Sequence, residues 1–177
     1  VVLKINTAFE FIYTLHSLPL QEVDSQKDLR VYITNNLLPH THTQNAAKSA
    51  FQRLGLIKRC FTSRSTKTIQ TLYESIVRPL LEYGSPAWAP WHAKDNKLLD
   101  KVQTRCEKMC HNNITFEPLG DRRKRADLTE VYKYVHGLYK TPSDKFFKFP
   151  QRPLRGHSLK IEKAYSRTDI RKHFFRN

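Results

Sequence analysis

The chain has 177 residues, 39% of them hydrophobic, and a formal net charge of +15. This length suffices for one domain with a buried core, and no uncharged run approaches the roughly 20 apolar residues that a membrane-spanning helix needs. The apolar opening segment lacks a basic region and a small-residue cleavage site, so we predict neither a signal peptide nor a membrane partner.

Positive charge is concentrated downstream of residue 33. Residues 1–32 carry three basic and four acidic side chains, residues 33–111 carry twelve and five, and residues 112–177 carry sixteen and seven. A surface of this kind attracts polyanions. We therefore expect a polyanionic partner to contact the chain beyond residue 33.

The first 33 residues have the pattern of a β-hairpin or a sheet edge. Phe9, Phe11 and Tyr13 alternate with polar neighbours, Ser17-Leu18-Pro19 interrupts the pattern, and Leu29–Ile33 resumes it.

From about Thr43 the apolar period becomes helical. Four amphipathic helices are predicted, over about Thr43–Phe61, Ile69–Tyr83, Lys94–Cys110 and Asp121–Tyr139. Pro79 should kink the second helix, Gly84 should end it in a left-handed conformation, and Pro86 should prevent its continuation. Gly137 is expected near the end of the fourth. Beyond Pro142 the period fades, and we predict a short helix near Arg167–Phe175.

The predicted fold class is mainly α. A short N-terminal β-hairpin or sheet edge (1–33) precedes a small helical bundle (34–111), and a basic, partly irregular segment (112–177) follows.

The third predicted helix has one basic face. At 100° per residue its cations fall within a face about 80° wide. They are Lys94, Lys97, Lys101, Arg105 and Lys108. Their like-charged contacts cost on the order of 1 to 2 kcal/mol in total, and a bound polyanion would reverse that cost. We predict contact with nucleic-acid phosphates; a solvated surface is the alternative.

Further candidate contacts flank this helix. Four lie at the end of the first helix and beyond it: Lys58, Arg59, Arg64 and Lys67. Three open the fourth helix: Arg122, Arg123 and Arg125. The helix dipole disfavours cations there by roughly 0.3 to 1 kcal/mol each, and Asp121 as an N-cap offsets only part of that cost. An anion contact is the functional interpretation of this cluster; a localisation signal and a solvated helix start are the alternatives.

Two tryptophans lie in the corner before the third helix. Trp88 and Trp91 could stack on bases, but large aromatic residues at such corners usually pack, and we favour packing.

The three cysteines, Cys60, Cys106 and Cys110, are an odd number without a secretory signal. We expect free thiols in an intracellular protein, nuclear or cytoplasmic. Cys106 and Cys110 with His111 could ligate a metal, but zinc pairs more often have two intervening residues and a second pair downstream. A buried thiol at Cys106 is preferred, and we predict no metal site. A nucleophilic Cys-His pair is less favoured still.

Catalytic motifs are absent from the sequence, which has no phosphate loop and no HExxH. Asp24 and Asp28 flank a basic residue in an expected turn, which suits a hairpin better than a two-metal site. We predict no catalytic residue and no cofactor in this chain.

Several segments resemble a known family in their order along the chain. They are SLPLQEVDSQKDLRVYITNNL, AAKSAFQRLGLIKRCF, LYESIVRPLLEYGSPAWAPW, KDNKLLDKVQTRCEKM, DRRKRADLTEVYKYVHGLY and RGHSLKIEKAYSRTDIRKHFF. Together they are similar to the end of the reverse transcriptase region of non-LTR retrotransposons, the jockey-like and related long interspersed elements.

The resemblance implies the end of the palm, the helical thumb and a post-thumb segment of an RNA-directed DNA polymerase. The family's thumb grips a template-primer duplex of RNA and DNA through its backbone. The family's Tyr/Phe-x-Asp-Asp turn is missing, so we expect a fragment without polymerase activity of its own. Mg²⁺, the upstream palm and the endonuclease region would belong to a full-length protein.

Ser17 and Arg30 stand where relatives tend to have glycine, so a positive φ at either site would strain the backbone. Two alternatives to a working thumb stay open. The chain could be a non-functional remnant, or a helical protein-interaction module whose basic surface is merely solvated.

Overall fold

Short strands precede the helices along the chain, and the fold is mainly α with hairpins near the N-terminus, which confirms the predicted class. The structure is a computed structural model that describes residues 2–3, 12–63, 65–110, 114–150, 159–163 and 165–173. The chain divides into two compact units, Val1–Phe116 and Glu117–Asn177. The first unit contains the predicted hairpin and the first three predicted helices.

The strands form three small pairs. Strand β2 (Thr14–Leu15) is antiparallel to β3 (Leu18–Pro19), and β5 (Ser25–Asp28) is antiparallel to β6 (Val31–Thr34). Strand β1 (Val2–Leu3) runs parallel to β4 (Glu22–Val23). The strand predicted at Phe9 and Phe11 lies outside the described residues.

Both antiparallel hairpins turn on two residues with positive φ. The angles are 51° and 65° at His16 and Ser17, and 43° and 69° at Leu29 and Arg30. Two-residue turns that match the twist of the strands need positive φ at both positions. Ser17 and Arg30 therefore both have the positive φ that was expected to strain the backbone there.

The hairpins differ from the prediction at three points. Leu29, predicted to lie in a strand, is part of the turn. The segment from Asp24 to Asp28, predicted as a turn, instead contains strand β5. Leu18 and Pro19, predicted to interrupt the strands, form β3. The sequence lacks the Asn-Gly pair that usually marks this turn, so its position was not evident.

The structure describes five α-helices in the first unit. They are α1 (His40–Cys60), α2 (Thr66–Leu72), α3 (Arg78–Glu82), α4 (Ser85–Trp88) and α5 (Ala93–Glu107). Helix α1 starts three residues before the predicted start at Thr43, and α5 ends before the predicted end at Cys110.

The second predicted helix is interrupted rather than simply kinked. A π-helical turn, Tyr73–Val77, joins α2 to α3, and the Arg78 N–H donates to the Tyr73 carbonyl, five residues earlier. Proline has no N–H and its ring clashes with the carbonyl four residues before it. Because Pro79 follows immediately, the wider π turn accommodates this clash.

Gly84 ends this helix in the left-handed conformation, with φ 64°, as predicted. Pro86 was predicted to prevent continuation of the helix. The helix does end before Pro86, which lies in the first turn of the separate helix α4, where its missing N–H costs nothing.

The core of the first unit lies between α1, α5 and the π-containing helix. Its fully buried members come from spacings of three and four along each helix: Ala50, Leu54, Ile69, Tyr73, Val77, Leu81, Leu99 and Val102. Each large side chain contributes roughly 1.5 to 3 kcal/mol through burial.

Cys106 belongs to the same core. Burial raises the pKa of its thiol to about 12, so the group stays protonated and inert. The prediction of a buried thiol is confirmed.

A buried polar network anchors the inner side of α5. The Tyr73 hydroxyl donates to Gln103 Oε1 at 3.4 Å, and Gln103 Nε2 donates to the Phe116 carbonyl at 3.2 Å. The Phe116 N–H donates to Glu107 Oε1 at 3.1 Å. These bonds fix the rotation of α5 about its axis.

The second unit contains α6 (Leu119–Val135), a 3₁₀ turn (Ser143–Lys145) and α7 (Asp169–Lys172). Helix α6 begins after Pro118, so Asp121 lies inside the first turn and is not the N-cap. It ends at Val135, four residues before the predicted end at Tyr139. The short helix predicted near Arg167–Phe175 is present as α7; residues 174–175 lie outside the described residues.

The apolar stripe predicted on α6 is largely exposed. Leu128, Tyr132 and Leu138 are 70%, 57% and 67% exposed. The two buried residues of this helix, Leu119 and Arg123, lie near its start.

Candidate nucleic-acid interface

The basic face of α5 is on the surface. All five of its cations are exposed: Lys94, Lys97, Lys101, Arg105 and Lys108. The opposite side of the helix is buried through Leu99, Val102 and Cys106. Across the described part of the chain, none of the five cations forms an ion pair with a carboxylate. The face is therefore an uncompensated row of positive charge.

Helices α1 and α5 lie side by side and run in the same direction. At their starts, His40 Nδ1 lies 2.7 Å from a carboxylate oxygen of Asp95, which is 2% exposed. At their ends, Lys58 lines one groove together with Arg105 and Lys108. The fold thus brings a cation from α1 alongside the last turn of the α5 face.

This groove between the helix ends has a volume of about 340 Å³. Phe51, Leu54, Gly55 and Met109 form the rest of its lining. No acidic side chain lines it within the described residues. Its chemistry suits an anion that rests on an apolar floor between cations.

Helix dipoles account for some of these cations without any ligand. Lys58 and Arg59 lie in the last turn of α1, and Arg105 lies in the last turn of α5. Cations at such ends gain roughly 0.3 to 1 kcal/mol each. Lys94 lies in the first turn of α5, where the dipole disfavours a cation, and Lys97 and Lys101 are too far from the end to benefit. The helix dipole therefore does not account for these three cations.

Three more candidate cations follow Lys58 in the sequence, at the end of α1 and near the start of α2. Arg59 and Lys67 are exposed, the latter in the first turn of α2. Arg64 lies outside the described residues.

The basic cluster of α6 differs from the α5 face because its charges are paired. Glu117 accepts hydrogen bonds from Arg122 at 3.5 Å and from Arg125 at 3.1 Å. Lys124 Nζ lies 3.3 Å from Asp121 Oδ1. Phosphate binding here would have to compete with these carboxylates.

Arg123 is only 5% exposed, so its guanidinium cannot reach the backbone of a duplex. Burial raises the pKa of Asp127, one turn further on, and the charge of Arg123 lowers it in part. We therefore remove Arg123 from the contact set. It was predicted as a contact because the sequence does not show which of four consecutive basic residues is buried.

Of the residues considered for a metal site, the structure describes Cys106 and Cys110. Cys110 Sγ donates to the Cys106 carbonyl at 3.9 Å, Cys60 is exposed, and His111 lies outside the described residues. Within the described ranges no three His, Cys, Asp or Glu side chains are grouped to hold a metal ion. Nor does any described helix combine the length and apolar character needed to cross a bilayer.

Trp88 is a packing residue, as favoured from the sequence. It is 4% exposed, its Nε1 donates to the Tyr83 carbonyl at 2.7 Å, and its ring centre lies 4.3 Å from that of His42. Trp91 is half-buried, with its ring centre 5.4 Å from that of His92.

A second cationic groove was missed by the sequence analysis. Lys27 and Arg30 of the hairpin meet Arg53 of α1 around a space of about 410 Å³. These residues come from separate elements, so no single helix or motif predicted their proximity. The one available signal was Arg30 at a position where glycine is expected.

In comparisons with known proteins, no family model, no curated protein and no solved structure matches this chain.

Proposed function

We propose that the α5 face, with Lys58 and Arg59, binds the phosphate backbone of a nucleic-acid duplex. The observation that carries this proposal is the row of exposed cations on α5 that have no carboxylate partner in the described part of the chain. The ligand is the template-primer duplex of RNA and DNA. The chain acts as the thumb region of a non-LTR retrotransposon reverse transcriptase.

The dimensions of the face support a duplex ligand. Lys94 and Lys108 are separated by 14 residues, about 21 Å along the helix. Double-stranded DNA carries a charge about every 1.7 Å of its axis, so one face spans many phosphates. Such contacts position a duplex without reading its sequence.

The resemblance supports the choice of template-primer duplex over other polyanions, because in that family the helices after the palm hold this ligand. The chain has no Tyr/Phe-x-Asp-Asp turn, so we propose no polymerase activity for it alone. Catalysis and its Mg²⁺ would come from the upstream palm of a longer protein.

Binding of a labelled RNA–DNA duplex, followed by fluorescence anisotropy, tests the proposal. In the variant Lys97→Gln, Lys101→Gln, Arg105→Gln, Lys108→Gln we expect affinity to fall by at least about tenfold at moderate salt. The control removes the same net charge from the second unit, by replacing Lys124, Lys133, Lys140 and Lys145 with Gln. Two of these lysines pair with acids, Lys124 with Asp121 and Lys133 with Glu130, so a smaller loss is expected.

Equal losses in the two variants would mean that only net charge matters, and the assignment to α5 would then fail. Binding should not depend on the duplex sequence, because phosphates are alike in every sequence. Primer extension by this chain alone in magnesium would show that it carries an activity beyond binding.

The alternative of a protein-interaction module is favoured by one observation in the second unit. Leu128, Val131 and Val135 of α6 line a groove with Leu159 and Ile161. Apolar grooves of this type commonly receive a partner helix. If this alternative holds alone, the chain will be retained on a polyanion column no better than a scrambled peptide of equal charge.

A further inference from the structure

The cationic groove beside the hairpin is separate from the α5 face and does not depend on the proposed function. Its lining combines Lys27 and Arg30 of the β5–β6 hairpin, Arg53 of α1, and Tyr83, which follows α3. Its volume of about 410 Å³ lies within the range of about 300 to 1,000 Å³ typical of small-molecule sites.

The groove concentrates positive charge without compensation. Lys27, Arg30 and Arg53 come from two elements, and no acidic side chain lines the groove within the described residues. None of the three forms an ion pair with a carboxylate of the described ranges. Three cations around one space favour a ligand with at least two negative charges.

Arg30 is held there at a conformational cost. Its φ is 69°, a backbone region that glycine adopts freely and that arginine adopts only under strain. Strained residues that persist in a fold often lie at functional sites. The turn would be easier to form with glycine at this position.

The groove is also lined by an aromatic ring and by amide side chains that can form hydrogen bonds. Lys27 Nζ lies 5.3 Å from the centre of the Tyr32 ring, which keeps this cation at the groove. Tyr83 is 54% exposed and offers a ring on which a planar group can stack. Asn45 and Gln52 supply amide groups that can bond the edge of such a ring.

We propose that this groove binds a nucleoside phosphate, with the phosphate at Arg30, Arg53 and Lys27 and the base at Tyr83. Arginine suits this role because its guanidinium binds phosphate oxygens in pairs. The nucleotide is either free or the 5′-phosphorylated end of a strand. Both carry the same phosphate monoester, so the experiment must separate them.

Isothermal titration calorimetry with AMP on the full chain tests the site. We expect AMP to bind at least about tenfold more tightly than either adenosine or inorganic phosphate, because each of those makes only half of the contacts. Equal affinity for AMP and inorganic phosphate would overturn the proposal, as would a chain that binds neither AMP nor a 5′-phosphorylated oligonucleotide. A 5′-phosphorylated oligonucleotide that binds where AMP does not would identify the strand end as the source.

The variants Arg30→Gly and Arg53→Gln should each weaken AMP binding by about tenfold. Arg30→Gly also relieves the backbone, so a retained or raised melting temperature will show that lost binding does not come from unfolding. Tyr83→Ala should weaken AMP binding and leave phosphate binding unchanged.

Lys48→Gln is the matched control, since Lys48 is an exposed cation of α1 outside the groove. The same loss of AMP affinity in Lys48→Gln as in Arg30→Gly would contradict the site. The quadruple α5 variant should bind AMP normally, so failure of this proposal and failure of the duplex proposal can be told apart.

Discussion

The backbone strain at Arg30 and Ser17 follows from a single dihedral angle, φ. Both have positive φ in two-residue turns, where glycine would fit without strain. The sequence raised the question at both positions, because relatives of the resembled family tend to have glycine there. In the structure φ is positive at both residues, so each turn carries a conformational cost.

Replacing Arg30 by glycine should therefore stabilise the first unit. We expect the free energy of unfolding to rise by about 1 kcal/mol, since a non-glycine residue in this region costs roughly 1 to 2 kcal/mol and glycine returns part of that gain as entropy. Chemical denaturation measures the change. Arg30→Ala is the control because it removes the charge and keeps the Cβ; if it stabilises as much as glycine, backbone strain is not the cause.

A single residue, His42, also makes the stability of the protein depend on pH. It is 6% exposed, accepts the Tyr32 N–H at Nδ1 over 3.2 Å, and packs on Trp88. Burial lowers the pKa of His42 from 6.5 to about 4. Between these two values the unfolded chain binds more protons than the folded one, so stability must rise with pH across that range.

We expect the free energy of unfolding to be about 2 kcal/mol lower at pH 5 than at pH 7.5 through His42 alone. Denaturation at both values, on the native chain and on His42→Gln, measures this contribution. The variant keeps a side-chain acceptor but cannot titrate, so its pH dependence should be smaller by that amount. The same pH dependence in both proteins would show that His42 is not the group responsible.

At the scale of elements, the end of α6 is set by one glycine. The Leu138 N–H donates to the Lys133 carbonyl at 2.9 Å and the Gly137 N–H to the Tyr134 carbonyl at 3.2 Å, with Gly137 at φ 66°. This is the Schellman arrangement, which closes a helix with a left-handed residue.

Gly137→Ala should loosen that end of α6. A Cβ at this position meets nothing within 4 Å, so the expected loss of about 1 kcal/mol comes from backbone strain alone. Hydrogen exchange at the amides of the last turn measures the local loss. Gly120→Ala in the first turn of the same helix also meets nothing within 4 Å and lacks the positive φ, so it should not reduce protection. Equal effects would rule out strain.

The helices were largely predictable because apolar spacing in α1 and α5 matches their buried sides. The ends of the helices were less predictable. The period continued through Leu138, although Gly137 had already turned the chain away from the helix. Nothing in the spacing distinguishes a kink at Pro79 from the π turn, because the outcome depends on how Tyr73 and its neighbours pack.

At the scale of the whole molecule, the sequence identified cations but not their surroundings. Two clusters looked alike: the α5 face and the start of α6. Glu117 lies before α6 and pairs with Arg122 and Arg125, whereas the described residues place no such partner beside the α5 face. The meeting of Lys58 with Arg105 depends on the parallel packing of α1 and α5, which no local pattern encodes.

The dependence of duplex affinity on salt tests the central claim most directly. Each phosphate contact releases bound counterions, so the logarithm of the association constant falls against the logarithm of salt concentration by about 0.9 per contact. If Lys97, Lys101, Arg105 and Lys108 each contact a phosphate, their replacement by Gln should reduce the slope by about 3 to 4. An unchanged slope in that variant would contradict the account.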